Sequence, residues 1–130
     1  MNKKITKKKI SKPVVVRKNH QIDATDKILG RLASEIAIIL RGKNKVSFQP
    51  NIDGGDGVIG KNVSKLKITG RKLEQKKYFH HSNYPGGLKT KGLGELFSKD
   101  PTEVLKRAVW NMLPKNKLRN KMIKRLKISN

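Results

Sequence analysis

The stretch Ile28-Leu29-Gly30-Arg31-Leu32-Ala33-Ser34-Glu35-Ile36-Ala37-Ile38-Ile39-Leu40-Arg41-Gly42 decides the fold. Its apolar residues Ile28, Leu29, Leu32, Ala33, Ile36, Ala37, Ile39 and Leu40 recur at helical spacing and predict a helix over residues 28–41. Gly42 stands where a helix stops on a left-handed residue. The apolar stripe is wide, which suits a helix laid on a sheet. Upstream, residues 19–24 read as a short strand with Ile22 inward, and Thr25-Asp26 offers N-cap chemistry. Downstream, residues 46–48 read as a short extended piece and residues 50–57 as a loop. Val58-Ile59 and residues 66–69 read as strands around a turn at 62–65, and residues 77–81 as another strand. Residues 83–94 are glycine-rich and read as loose, and residues 95–98 as a helical turn. Asp100-Pro101 opens a further helix, with Val104, Leu105, Ala108, Val109 and Met112 on one face. A basic helix is expected over 118–126, with Met122, Ile123 and Leu126 inward. Alternating strand and helix signals indicate an α/β layered domain over residues 20–130, preceded by a basic, flexible arm over 1–19. The expected core is Leu29, Leu32, Ile36, Leu40, Val58, Ile68, Val104, Leu105, Val109 and Met112.

Charge narrows the ligand. The 130 residues carry 32 Lys and Arg against 9 Asp and Glu, a formal net charge of +23. Self-repulsion at that density disfavours a compact state unless a polyanion neutralises it, and nucleic acid is the first candidate. No apolar run approaches the roughly 20 residues that span a bilayer. The basic start has no apolar continuation of signal-peptide length, so a cytoplasmic location is expected. With no cysteine, disulfides and thiolate metal sites are excluded.

Three motifs invite chemistry and are better read as structure. Gly55-Asp56-Gly57-Val58-Ile59-Gly60 matches GxGxxG, yet its glycines follow a loop and enter a strand, whereas a dinucleotide site needs them to open a helix. His80-His81-Ser82 lacks an orienting partner, and neighbours along an extended chain point to opposite faces. Asp53 and Asp56 could be drawn as a metal pair for nuclease chemistry, but their setting favours turn capping or ion pairs with nearby Lys and Arg. No catalytic residue, metal or cofactor is assigned. Basic clusters recur in turns and at element ends, at residues 41–45, 70–72, 76–77, 89–91 and 115–127. Aromatics are only 5 % of the chain, too few for extensive base stacking, so phosphate and shape recognition of structured RNA is favoured.

Eight words occur in order: Ile22-Asp23-Ala24, Leu29-Gly30-Arg31-Leu32-Ala33-Ser34, Leu40-Arg41-Gly42-Lys43, Gly55-Asp56, Lys61-Asn62, Ile68-Thr69-Gly70, His81-Ser82-Asn83-Tyr84-Pro85-Gly86-Gly87-Leu88-Lys89 and Met112-Leu113-Pro114-Lys115-Asn116-Lys117-Leu118. Together they resemble the universal L-thirteen family of large-subunit ribosomal proteins in its bacterial form. The resemblance covers residues 20–128. It implies a central, mostly parallel sheet flanked by helices and a structural role. It also implies binding to large-subunit ribosomal RNA, support of early subunit assembly, and contact with neighbouring ribosomal proteins. Neither a membrane nor a small-molecule substrate comes with it. The implied location is the ribosome, cytoplasmic or in an organelle of bacterial type. Mapped onto this chain, the RNA-facing residues are Arg31, Arg41, Lys43, Lys45, Arg71, Lys72, Lys77, His80, His81, Lys89, Lys115 and Lys117. Two departures stand out. His20-Gln21 occupies the place of a common aromatic, and Arg119-Asn120 follows Leu118 where the family usually shows Gly-Arg. The alternative classes are a free nucleic-acid-binding protein, such as a regulator acting on messenger RNA, and an enzyme built on Asp53, Asp56 or the glycine loop.

Overall fold

Helix α1, Leu29–Arg41, buries Leu32, Ala33, Ile36, Ala37 and Leu40, each no more than 8 % exposed. In the computed structural model, which describes residues 15–129, this helix covers a sheet as its stripe demands. Gly42 ends it at φ 80°, its amide donating to the carbonyls of Ile38 and Ile39. The start differs from the sequence expectation. Thr25 and Asp26 do not cap α1; the N-cap is Ile28, without a side-chain cap. A parallel bridge does that work. The Leu29 amide donates to the Lys67 carbonyl at 3.1 Å, and the Lys67 amide to the Lys27 carbonyl at 3.0 Å. A distant backbone acceptor thus satisfies one of the orphan donors of the first turn. Asp23, not Asp26, organises the turn before it, accepting from the Thr25 amide and hydroxyl.

The main sheet is parallel throughout, in the order β1 (Asn19–Asp23), β2 (Gly57–Lys61), β5 (Leu126–Ile128). Parallel neighbours need a crossover, and α1 supplies it between β1 and β2. Val58 pairs with Leu126 and Gly60 with Ile128. The helix expected over 118–126 is therefore corrected. Helix α5 spans only Arg119–Ile123, and Leu126 belongs to a strand that fills the second edge of β2. Met122 and Ile123 point inward as expected. Residues 66–69 form no strand beyond the bridge at Lys67, and residues 46–48 form turns, with Val46 fully exposed. The arm expected over 1–19 lies outside the described residues up to position 14, and Asn19 already begins β1.

A second, two-stranded sheet pairs β3 (Lys77–His81) with β4 (Leu88–Gly92) in antiparallel register. Residues 83–94 are thus a hairpin tip, a strand and the start of a helix, not a loose segment. Left-handed residues at Asn83 (φ 64°) and Gly86 (φ 72°) turn the chain. The Ser82 amide donates to the Gly87 carbonyl, and the Gly87 amide to that of Tyr84. Helix α2 (Lys72–Gln75) precedes the hairpin and α3 (Leu93–Lys99) follows it.

Helix α4, Pro101–Met112, buries Val104, Leu105 and Val109. Met112 is 52 % exposed, against expectation. Leu113, in extended backbone just past the helix, turns inward instead and is buried. Leu29 and Ile68, also expected in the core, are only partly buried, and they pack beside Leu93, Leu96 and Val104. Asp100 caps α4 as expected, accepting from the amides of Thr102 (3.0 Å) and Glu103 (3.3 Å). Asp100→Ala is expected to cost about 1 kcal/mol of unfolding free energy, read from the urea midpoint.

Candidate nucleic-acid interface

The carboxylates of this chain are largely spent on its own fold. Asp56 is 2 % exposed. One of its oxygens meets the Lys45 ammonium at 2.5 Å and accepts from the Lys18 amide at 3.0 Å; the other lies 3.0 Å from Nε2 of His20. Burial alone would raise its pKa, but hydrogen bonds from Lys45, His20 and the Lys18 amide outweigh that and hold it at about 2. Asp53 takes a bidentate pair from Arg125 at 2.5 and 2.7 Å and faces Arg17 at 3.6 Å. Asp23 accepts from Thr25 and Asn62, and Glu103 pairs with Arg107 at 2.5 Å. Asp53 and Asp56 thus make ion pairs with local Lys and Arg, the structural alternative to a metal pair. Among the described residues, no three His, Cys, Asp or Glu side chains gather as a metal site would require. The glycine-rich segment runs into β2, not into a helix.

The cations tell the opposite story, apart from Arg125, already committed to Asp53, and Lys45. Lys45 is turned inward, its ammonium also donating to the carbonyls of Val16 and Gly54 at 2.9 Å each. Arg31 is exposed on α1. Arg41, at the end of α1, holds its guanidinium 5.3 Å above the Phe48 ring, and Lys43 is exposed just beyond. Arg71 and Lys72 are exposed at the start of α2, beside a groove that Lys67 and Lys76 also line. Lys77, His80 and His81 are exposed along β3, and Lys89 on β4 is the direct partner of His80. Lys115 and Lys117 are exposed in the turn between α4 and α5.

That turn forms an open hollow of about 440 Å³ lined by Trp110, Lys115, Asn116, Lys117, Arg119 and Asn120. Arg119 stacks 4.3 Å over Trp110 and donates to its carbonyl, which stiffens one wall. Arg119, a departure from the resemblance noted in the sequence, is thereby ordered by its own stacking and hydrogen bonds. Arg107 lies outside every basic cluster read from the sequence, whereas Lys91 and Arg119 lie inside two of them without being singled out. Lys91 and Arg107 line a small pocket with His80 and Lys89. Arg107 and Glu103 are one helical turn apart on α4, and their ion pair fixes the guanidinium.

Comparison with known proteins shows the family. A family model described as Ribosomal protein L13 matches residues 17–129. A Large ribosomal subunit protein uL13 from Aquifex aeolicus is 56 % identical over 114 residues, 88 % of this chain and 79 % of the relative. Its counterpart from Chlorobium phaeobacteroides is 53 % identical over 114 residues, 88 % of this chain and 76 % of the relative. That from Clostridioides difficile is 50 % identical over 120 residues, 92 % and 84 % of the two chains.

Proposed function

The chain belongs to the Ribosomal protein L13 family, and on that premise we propose that it is a structural constituent of the large ribosomal subunit. In this reading the α/β unit of residues 20–130 is a rigid body that presents cations to the phosphates of several segments of large-subunit ribosomal RNA. It touches neighbouring ribosomal proteins, supports early assembly and catalyses nothing.

One observation carries the reading. Asp53, Asp56, Asp100 and Glu103 are tied into a cap and ion pairs, while many Lys and Arg side chains occupy exposed turns and element ends. With a net charge of +23 and cations exposed on several elements, the surface field favours a polyanion such as RNA from several directions. Each phosphate neutralised releases counterions and steepens the salt dependence of binding.

The test uses the full chain and large-subunit RNA. Lys115→Ala with Lys117→Ala is expected to flatten the plot of log affinity against log salt by about 1.5, and so is Arg71→Ala with Lys72→Ala. Both variants are expected to be under-represented in purified large subunits. An unchanged slope together with normal occupancy overturns these assignments. A free regulator of messenger RNA is told apart by washing particles at high salt: a ribosomal constituent stays with the large subunit.

A further inference from the structure

We propose that the cleft between the β3–β4 hairpin and α4 is a phosphate site, in which Lys89, Lys91 and Arg107 together hold one phosphate of the RNA backbone. This rests on the RNA-binding reading above and names the ligand of one part of it. Register decides which side chains share the cleft. Tyr78 pairs with Lys91 and His80 with Lys89, so these four stand on one face of the hairpin. Phe79, His81, Leu88 and Thr90 stand on the other. The first face is the one turned to α4, because the Arg107 guanidinium lies 5.1 Å over the Tyr78 ring. The pocket between them has a volume of about 240 Å³, and Tyr78, His80, Lys89, Lys91 and Arg107 are among the residues that line it. Paired side chains on one face start about 5 Å apart and successive pairs about 7 Å apart, so two ammonium groups and a guanidinium can close on one phosphate.

The cleft is ordered and cationic before a ligand arrives. The Tyr78 ring packs against the buried Leu93, Leu96 and Val104, which fixes the floor. Nε and Nη2 of Arg107 both donate to one Glu103 oxygen, at 2.8 and 2.5 Å, and leave Nη1 without a partner among the described residues. Lys76 places a further cation 5.5 Å over the Tyr78 ring. Glu103 offsets one of these charges. Lys89 and Lys91 have no carboxylate partner among the described residues, and the sequence from Lys76 through Gly94 contains no acidic residue. Like charges held this close repel one another, and an anion between them relieves that cost. Phosphate suits the set: a rigid fork with a spare donor and two mobile ammonium groups match oxygens that point in several directions. The Tyr78 ring is flanked by Lys76 and Arg107 and has no open face for a base, so the cleft reads backbone rather than sequence. The pocket is smaller than a typical small-molecule site, which suits one phosphate of a longer strand.

The experiment measures binding of the full chain to large-subunit RNA across a salt series, with urea midpoints to show that each variant folds. Each phosphate neutralised contributes about 0.7–0.9 to the slope of log affinity against log salt. Three cations that share one phosphate therefore share one such increment. Lys89→Ala, Lys91→Ala and Arg107→Gln combined are expected to flatten the slope by about 0.7–0.9 in total and to weaken binding by about 10- to 150-fold. A flattening of about 2 or more means three separate phosphates and overturns the shared site. An unchanged slope overturns it too, while the general reading stands. Should Arg107→Gln fail to fold, Lys89→Ala with Lys91→Ala decides the same point: weaker binding with a flattening of up to about 0.9 is expected, and a flattening of about 1.5 or an unchanged affinity refutes the site. Inorganic phosphate is the second probe, followed by the phosphorus-31 resonance. If the wild-type chain binds it and the triple variant does not, yet the two have the same RNA slope, the cleft takes a free anion and the RNA assignment is overturned. Failure of the wild-type chain to bind RNA overturns both readings.

Discussion

Asp56→Ala is expected to lower the unfolding free energy by about 3–5 kcal/mol, the cost of stranding the partner of a buried ion pair. The Lys45 ammonium would keep two carbonyl acceptors but lose its counter-charge, and the Lys18 amide and the His20 ring would each lose a partner. Against the 5–15 kcal/mol of a typical domain, that is a large share. Adding Lys45→Met removes the stranded charge and is expected to recover a substantial part of the loss. The same pair sets an acid limit. The folded-state pKa of Asp56 is about 2, below the unfolded value. Its contribution is therefore complete above the unfolded pKa of about 3.9, and it is lost as pH falls from there through the folded value. Denaturant midpoints at neutral pH and through that acid window are the measurement. The wild-type protein is expected to lose stability in the window more steeply than Asp56→Ala does. A neutral-pH loss below about 1 kcal/mol would show that Asp56 does not anchor the loop. Lys45 then parts company with Lys43, its neighbour in the same basic word. Lys45→Ala is expected to change stability, whereas Lys43→Ala is expected to change the salt dependence of RNA binding.

The difference between those two lysines shows where the sequence is legible and where it is not. Helices α1 and α4 are readable because their signals are local: an apolar period over three turns, a left-handed Gly42, and Asp100 before Pro101. Strand β5 is not readable because its reason is remote. Leu126 and Ile128 are spaced like any amphipathic fragment, and only the open edge of β2 makes them a strand. Strand β4 fails for a related cause. Its sequence, Leu88-Lys89-Thr90-Lys91-Gly92, has no buried face to impose an alternation of apolar residues, and pairing with β3 alone defines it. Burial of ionic groups is the third illegible feature. The basic word at residues 41–45 reads as uniform surface charge, but Asp56, eleven positions further on, draws one of its lysines inside. The exposed cations of the candidate interface were largely legible because surface position at turns follows from local chemistry. Their grouping around Arg107 and Arg119 was not, because it depends on how α4 packs against the hairpin and against the turn leading to α5.

Gly55→Ala is expected to be as damaging as the loss of Asp56, costing at least about 3 kcal/mol, above the usual range for overpacking. A Cβ at this position would lie 1.8 Å from the carbonyl oxygen of Leu40 and 2.5 Å from its carbonyl carbon. Both are backbone atoms of the last turn of α1, so no rotamer change relieves the clash. The chain on the other side is equally committed: the Asp56 amide donates to the Ile39 carbonyl at 3.2 Å, and Arg125 donates to the Leu40 carbonyl at 2.9 Å. Moving the loop away from α1 would therefore also pull Asp53 from Arg125 and Asp56 from Lys45, and the ion pairs would fail together with the packing. Gly54 is the control. A Cβ there meets nothing within 4 Å, so Gly54→Ala is expected to stay within about 0.5 kcal/mol of wild type. Paired urea denaturation of the two variants measures the contrast, and coincident midpoints would refute it. The result also bears on the glycine motif. If Gly55 is required by its approach to α1, its glycine character is explained without a phosphate, and the resemblance to a dinucleotide-binding loop is a consequence of how the loop lies on the helix.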